Sequence, residues 1–190
     1  MGYELVVDFL PWSRAVSEAK NDASQYAGYF PEYYSDAVAD EFVFSDPMGS
    51  GPLGLVENKN NPVTWQTLED LQPLVVGVVQ DYVNTDEFDA RVAQGKQKVQ
   101  AVTSDATNIK KVAGNRVPVA IIDANVFAYL LKSDPSLKPF SEHVQMNEKI
   151  LENKKLYICF KNNDFGKEIA QIFNEGLKKV DVQAIMKQYQ

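Results

Sequence analysis

The chain has 190 residues with 45% apolar, 24% charged and 11% aromatic side chains, which is enough to bury a core and excludes disordered and collagen-like classes. One cysteine, Cys159, excludes an intrachain disulfide scaffold. Nineteen basic against twenty-six acidic residues leave a net charge of −7, without the clustered Lys and Arg that a nucleic-acid partner requires. The longest apolar run, residues 117–131, is broken by Asp123 and Asn125, so nothing reads as membrane-spanning. The start Met-Gly-Tyr-Glu has neither the basic flank nor the apolar centre of a signal peptide.

Short apolar runs alternate with amphipathic segments, the pattern of an α/β protein. Residues 3–10, rich in Val and aromatics, predict a first strand that Pro11 ends, and a helix follows over 12–23. Residues 27–40 read as irregular and aromatic. Strands are expected over 42–44 and 53–57, separated by the glycine-rich turn 48–52. Thr67 and Asp70 form a capping-box-like pair ahead of a short helix. Strands then follow at 74–79, 98–102 and 119–122, with helices from Asn84 or Thr85 to 94, over 104–113 and over 125–131. The prolines at 135 and 139 mark a loop, 155–161 a last strand, and 166–180 a helix with Ile169, Ile172, Phe173, Leu177 and Val180 on one stripe.

Six blocks then occur in a recognisable order. They are Phe9-Leu10-Pro11-Trp12-Ser13-Arg14-Ala15; Phe42-Val43-Phe44-Ser45-Asp46-Pro47; Leu68-Glu69-Asp70-Leu71 with Val75-Val76-Gly77-Val78-Val79; Ala120-Ile121-Ile122-Asp123; Leu156-Tyr157-Ile158-Cys159-Phe160; and Phe173-Asn174-Glu175-Gly176-Leu177. In this order they resemble the bacterial extracellular solute-binding proteins of family 3, the polar amino-acid ABC-transporter type. The resemblance implies a two-lobed periplasmic binding protein-like type II fold that closes on a small ligand by a hinge. Lobe one would comprise 1–60 with 146–190, and lobe two 61–145. The expected role is an uptake-system receptor for a small polar or amino-acid-like ligand, with a membrane permease as partner, no catalysis and no cofactor. The resemblance also implies a periplasmic or extracellular location. A sensor, a truncated homologue that binds nothing and a dehydratase-like enzyme are the alternatives.

Candidate ligand residues follow from position and from the resemblance together. Trp12 starts a helix straight after a strand, where the family places a stacking aromatic; a core tryptophan is the alternative. Arg14 offers a guanidinium for a carboxylate, or a surface ion pair. Asp123 ends a buried strand, where ligands bind in open α/β sheets, and the family's matching Asp holds an ammonium group; a helix N-cap is the alternative reading. Family members carry Gly then Ser or Thr after the strand ending at Val79, whereas this chain has Asp81-Tyr82 and then Thr85, and Asp81 would repel an anion. The family's carboxylate-clamping Arg is also absent from Ser35-Asp36-Ala37-Val38. Either Arg14 substitutes for it or the ligand is not an ordinary α-amino acid. Phe30, one of five aromatics between 26 and 34, would line an aromatic cleft or pack a lobe, and the Gly49-Ser50-Gly51 turn would bring backbone donors at Ser50 close to a ligand or serve as a tight turn only. With a single histidine, His143, and one cysteine, no metal site is expected.

Relative to the family, the chain starts in the second strand. The expectation is therefore a lobe one lacking its first strand and helix, either rearranged or completed in a homodimer by strand exchange.

Overall fold

The computed structural model describes residues 2–186. Along the chain these form α1 (Trp12–Lys20), β1 (Gly28–Glu32), α2 (Asp36–Glu41), β2 (Phe42–Phe44), β3 (Gly49–Asn58), α3 (Leu68–Leu71), β4 (Val75–Val79), α4 (Asp86–Ala93) and β5 (Lys98–Val102). Then come α5 (Asp105–Ala113), β6 (Val119–Asp123), α6 (Ala124–Ser133), a 3-10 segment (Pro135–His143), β7 (Val144–Met146), β8 (Glu152–Lys161), α7 (Asp164–Leu177) and α8 (Val182–Met186). Many helices begin where a short polar side chain meets an orphan backbone N–H. Ser35, Thr85, Ser104, Asp123 and Asn163 each accept such a bond, and the Asp70 carboxylate takes the amides of Gln66 (2.8 Å) and Thr67 (2.9 Å).

The chain divides into two compact units, Met1–Ser50 with Lys155–Gln190, and Gly51–Lys154. The backbone passes from one to the other within β3 and returns within β8.

Unit one is organised on β8, which pairs antiparallel with both β1 and β2; Cys159 lies opposite Tyr29 on one side and Phe44 on the other. Because successive strand side chains point to opposite faces, β8 serves two cores. Cys159 joins Ala19, Tyr29 and Phe42, against which Trp12, Val16 and Phe44 pack. Trp12 meets the Tyr29 ring edge-on at 5.4 Å, and Tyr29 meets Phe42 at 5.0 Å. Ile158 and Phe160 instead face Ala170, Ile169 and Phe173 of α7. Beneath the first core, Tyr29 Oη donates to Glu32 (2.9 Å), whose other oxygen accepts from the Tyr33 amide (2.8 Å). Burial and this neighbouring carboxylate push the Tyr29 phenol up, and burial takes the Cys159 thiol to about 12, so that thiol stays protonated and inert.

Three local expectations are corrected in this unit. Residues 3–10 form no strand, and Tyr3, Leu5, Val6, Val7 and Phe9 are exposed. High β-propensity measures fit to a pleated, half-buried surface, and no ladder partner forms beside this segment. The stretch read as irregular contains β1 and α2; Pro31 inside β1 and the shortness of both elements hide them. The presumed turn at 48–52 is instead the start of β3.

Unit two carries the order β3-β6-β4-β5, with β7 also on β3. β6 runs antiparallel to β3 (Leu55↔Ile121) and parallel to β4 (Gly77↔Ala120), while β4 and β5 are parallel. Every residue of β6 is buried, as its continuous apolar run requires of a strand covered on both faces. Val56, Ile109, Val112, Val117, Ala120, Ile122, Phe127, Leu137 and Val144 make one core cluster. The prolines at 135 and 139, read as loop, sit in the 3-10 segment, which contributes Leu137 to that core.

Glu57, at the end of β3, is the buried polar hub of unit two. Its carboxylate accepts from the Val63 amide (2.9 Å), Gln145 Nε2 (2.8 Å) and Asn147 Nδ2 (2.7 Å). Asn147 also accepts from Trp65 Nε1 at 3.1 Å. Glu57→Ala strands three donors and is expected to lower the unfolding free energy by about 2–3 kcal/mol in urea titrations. A loss within error of zero would mean that solvent replaces the carboxylate.

Candidate functional site

Because β4, β5 and β6 are parallel, their carboxyl ends lie along one edge of unit two, and α4, α5 and α6 start there. The chain goes β4–α4–β5 outward and then returns across β4 to β6, so the β4/β6 seam is where strand order reverses. Crevices at such a seam are the usual ligand positions of open α/β sheets.

Asp123 is the last residue of β6 and is 9% exposed. Its Oδ1 accepts from the amides of Asn125 (2.7 Å) and Val126 (3.2 Å), capping α6. The rest of the carboxylate lies over β3, where a Cβ on Gly51 would fall 1.9 Å from Oδ2. Glycine at 51 is thus a requirement of this carboxylate's position.

From the end of β4 the chain turns through Gln80 and through Asp81, which has φ 62°, and Tyr82 follows with 38% exposure. Tyr82 Oη donates to Asp105 Oδ2 at 3.4 Å. Asp105 opens α5, straight after its cap Ser104. Burial raises its carboxyl to about 6, and the Asp123 charge pushes the same way, while the Tyr82 hydroxyl and a backbone N–H oppose the shift. Two carboxylates therefore feel each other at this edge, with a half-exposed phenol on one of them.

Thr85 is buried and spends its hydroxyl on the Phe88 amide (3.2 Å) as the cap of α4. Helix α4 carries Asp86, Glu87 and Asp89 in its first turn. The positive ends of these helices are thus served by the protein's own oxygens, which makes the edge suited to a cation and poorly suited to a second anion. Beside it a cavity of about 200 Å³ lies among Val78, Tyr82, Phe88, Val92 and Val99.

The structure brings Tyr82 and Asp123 of the sequence-derived candidates to this edge and adds Asp105, with Thr85 capping the adjacent helix. Asp105 was legible only as an acid in a helix's first turn; its partial burial depends on how α5 packs back across β4, β5 and β6. The remaining candidates belong to unit one. Trp12 packs on Tyr29, Arg14 is two-thirds exposed with its Nε 3.8 Å from Glu18, and Phe30 lines a groove beside α7. Ser50 is the last residue of that unit, at the start of β3. Among the described residues no group of three or more His, Cys, Asp or Glu could hold a metal, and no helix is long and apolar enough to cross a membrane.

No family model matches the chain, and no curated protein matches it. Solved structures do. A histidine kinase sensor domain with similarity to periplasmic binding proteins matches with a TM-score of 0.77 and 17% identity, covering 94% of this chain and 75% of that one. An amino-acid ABC transporter substrate-binding protein from Streptococcus pneumoniae, bound to L-arginine, gives 0.65 and 15%, covering 83% and 65%. An ancestral amino-acid-binding protein, a precursor of cyclohexadienyl dehydratase, gives 0.66 and 17%, covering 95% and 72%. The chain spans between about two thirds and three quarters of the length of these structures. Its fold is that of the periplasmic binding protein-like type II proteins.

Proposed function

We propose that this chain is a non-enzymatic receptor for a small ligand bearing an ammonium or guanidinium group. The observation that carries the reading is the Tyr82 hydroxyl on the Asp105 carboxylate at the same strand-end edge where Asp123 ends β6. A cation there relieves the repulsion between the carboxylates and lies near an aromatic face. Among the matched structures, the one bound to L-arginine and the ancestral amino-acid-binding protein agree with a ligand of this kind. In its finer form the reading makes the chain part of an ABC-type uptake system outside the cytoplasm, where ligand-driven hinge closure is what a membrane permease detects.

The likeness to a histidine kinase sensor domain favours a second reading, in which the same binding event feeds a signalling partner rather than a permease.

A thermal-shift series with arginine, lysine, putrescine and glutamate tests the proposal. Arginine, lysine and putrescine are expected to stabilise the protein as RT ln(1 + [L]/Kd), about 2.7 kcal/mol at a hundredfold excess over Kd. Glutamate should have the smallest effect. Indifference to all four would overturn the receptor reading, and turnover of any of them would favour the enzyme alternative.

A further inference from the structure

The cavity beside the strand-end edge is framed by polar groups that satisfy one another. Asn84 donates its amide N–H and its Nδ2 to the two oxygens of Asp89, at 2.8 Å each. The Gln80 amide donates to the Val102 carbonyl (2.8 Å) and the Tyr82 amide to the Val79 carbonyl (3.2 Å). The 80–84 turn is therefore fastened to α4, to β5 and to β4, and the cavity is formed before any ligand arrives. Its walls are apolar: Val78, Val79, Phe88, Val92, Val99 and Ala101. Its volume of about 200 Å³ exceeds the roughly 150 Å³ of an apolar cavity that takes a benzene ring.

Charge around this cavity has one sign. Asp81 and Asp89 line it, Asp86 and Glu87 stand in the first turn of α4, and no Lys, Arg or His is among the described residues that line it. Tyr82 joins the cavity to the carboxylate beyond: it lines the one, and its Oη donates to Asp105 Oδ2 at 3.4 Å.

We infer that the ligand of this edge is an aryl or branched alkyl amine without a carboxylate, its ammonium on Asp105 and its apolar body in the cavity between α4 and the β4/β5 sheet. The inference rests on the receptor reading above and narrows it to a substrate class. A ligand reaching from the cavity to Asp105 passes beside the Tyr82 ring, where a cation is favoured. A carboxylate on the same ligand would meet Asp81 and the acidic start of α4. A diamine either leaves the cavity unfilled or buries its second ammonium among valines, which is costly.

Thermal shifts with phenethylamine, phenethyl alcohol, phenylalanine and putrescine test this. Phenethylamine is expected to bind roughly tenfold or more tightly than each of the other three, because it alone combines the ring, the positive charge and no carboxylate. Ala101→Leu places extra bulk at an exposed lining residue and should bring phenethylamine down to the affinity of putrescine. Putrescine or phenylalanine binding as tightly as phenethylamine would overturn the inference and leave the receptor reading standing. So would an Ala101→Leu variant that keeps the full preference for phenethylamine. Phenethyl alcohol as tight as the amine, or no shift with any compound, would overturn both. If the variant does not fold, the compound series on the parent chain decides alone.

Discussion

Asp123→Ala is expected to cost about 1–2 kcal/mol of unfolding free energy and to abolish the thermal response to amines. The stability loss follows from the cap: Oδ1 holds the amides of Asn125 and Val126, and removing an N-cap oxygen has that magnitude. The ligand loss follows from the charge, and Asp123→Asn separates the two. Asparagine caps a helix as well as aspartate does, so this variant should keep most of the stability while losing the amine response. If Asp123→Asn binds arginine as tightly as the parent, the residue is a cap and nothing more. Gly51→Ala approaches the same site from the other side, because the new methyl carbon would need the space that Oδ2 occupies. It should weaken amine binding even though it adds no charge.

Asp105→Asn is expected to stabilise the protein at neutral pH and to remove a pH dependence. The folded carboxyl holds its proton to about 6, against an ordinary value of 3.8. Between those values the folded state binds the extra proton, so the contribution to stability is complete below about pH 4 and is lost as pH rises through 6. At pH 7 the parent carries this deficit in full, on the order of 2–3 kcal/mol, and the neutral amide does not. Urea titrations at pH 4.5 and pH 7 measure it: the parent should lose more stability over that interval than Asp105→Asn. Cation binding runs the opposite way. A bound ammonium favours the ionised carboxyl, so amine affinity should rise from pH 5 to pH 7 in the parent and stay flat in Asp105→Asn. Identical slopes would remove Asp105 from the site.

Much of unit two was readable in the chain because its signals are local. Thr67 with Asp70, Thr85, Ser104 and the glycines at 95 and 114 bracket its helices, and continuous apolar runs mark β4 and β6. Unit one resisted for the complementary reason. Residues 3–10 have the better strand composition, yet Gly28–Glu32, with a proline inside it, is the segment that pairs. What decides between them is a neighbour, β8, more than a hundred residues away. The candidate edge divides in the same manner. Tyr82, Thr85 and Asp123 stand out from position along the chain alone, whereas the placement of Asp105 at the same sheet edge depends on strand pairing that no short motif encodes.

Unit two is one uninterrupted stretch, Gly51–Lys154, while unit one is assembled from both flanks of it. Synthesis from the amino terminus therefore delivers all of unit two before the part of β8 on which unit one is organised, from Lys155 on, has left the ribosome. During that interval β1 and β2 have no template strand, so their ladder edges stay unpaired until β8 is available.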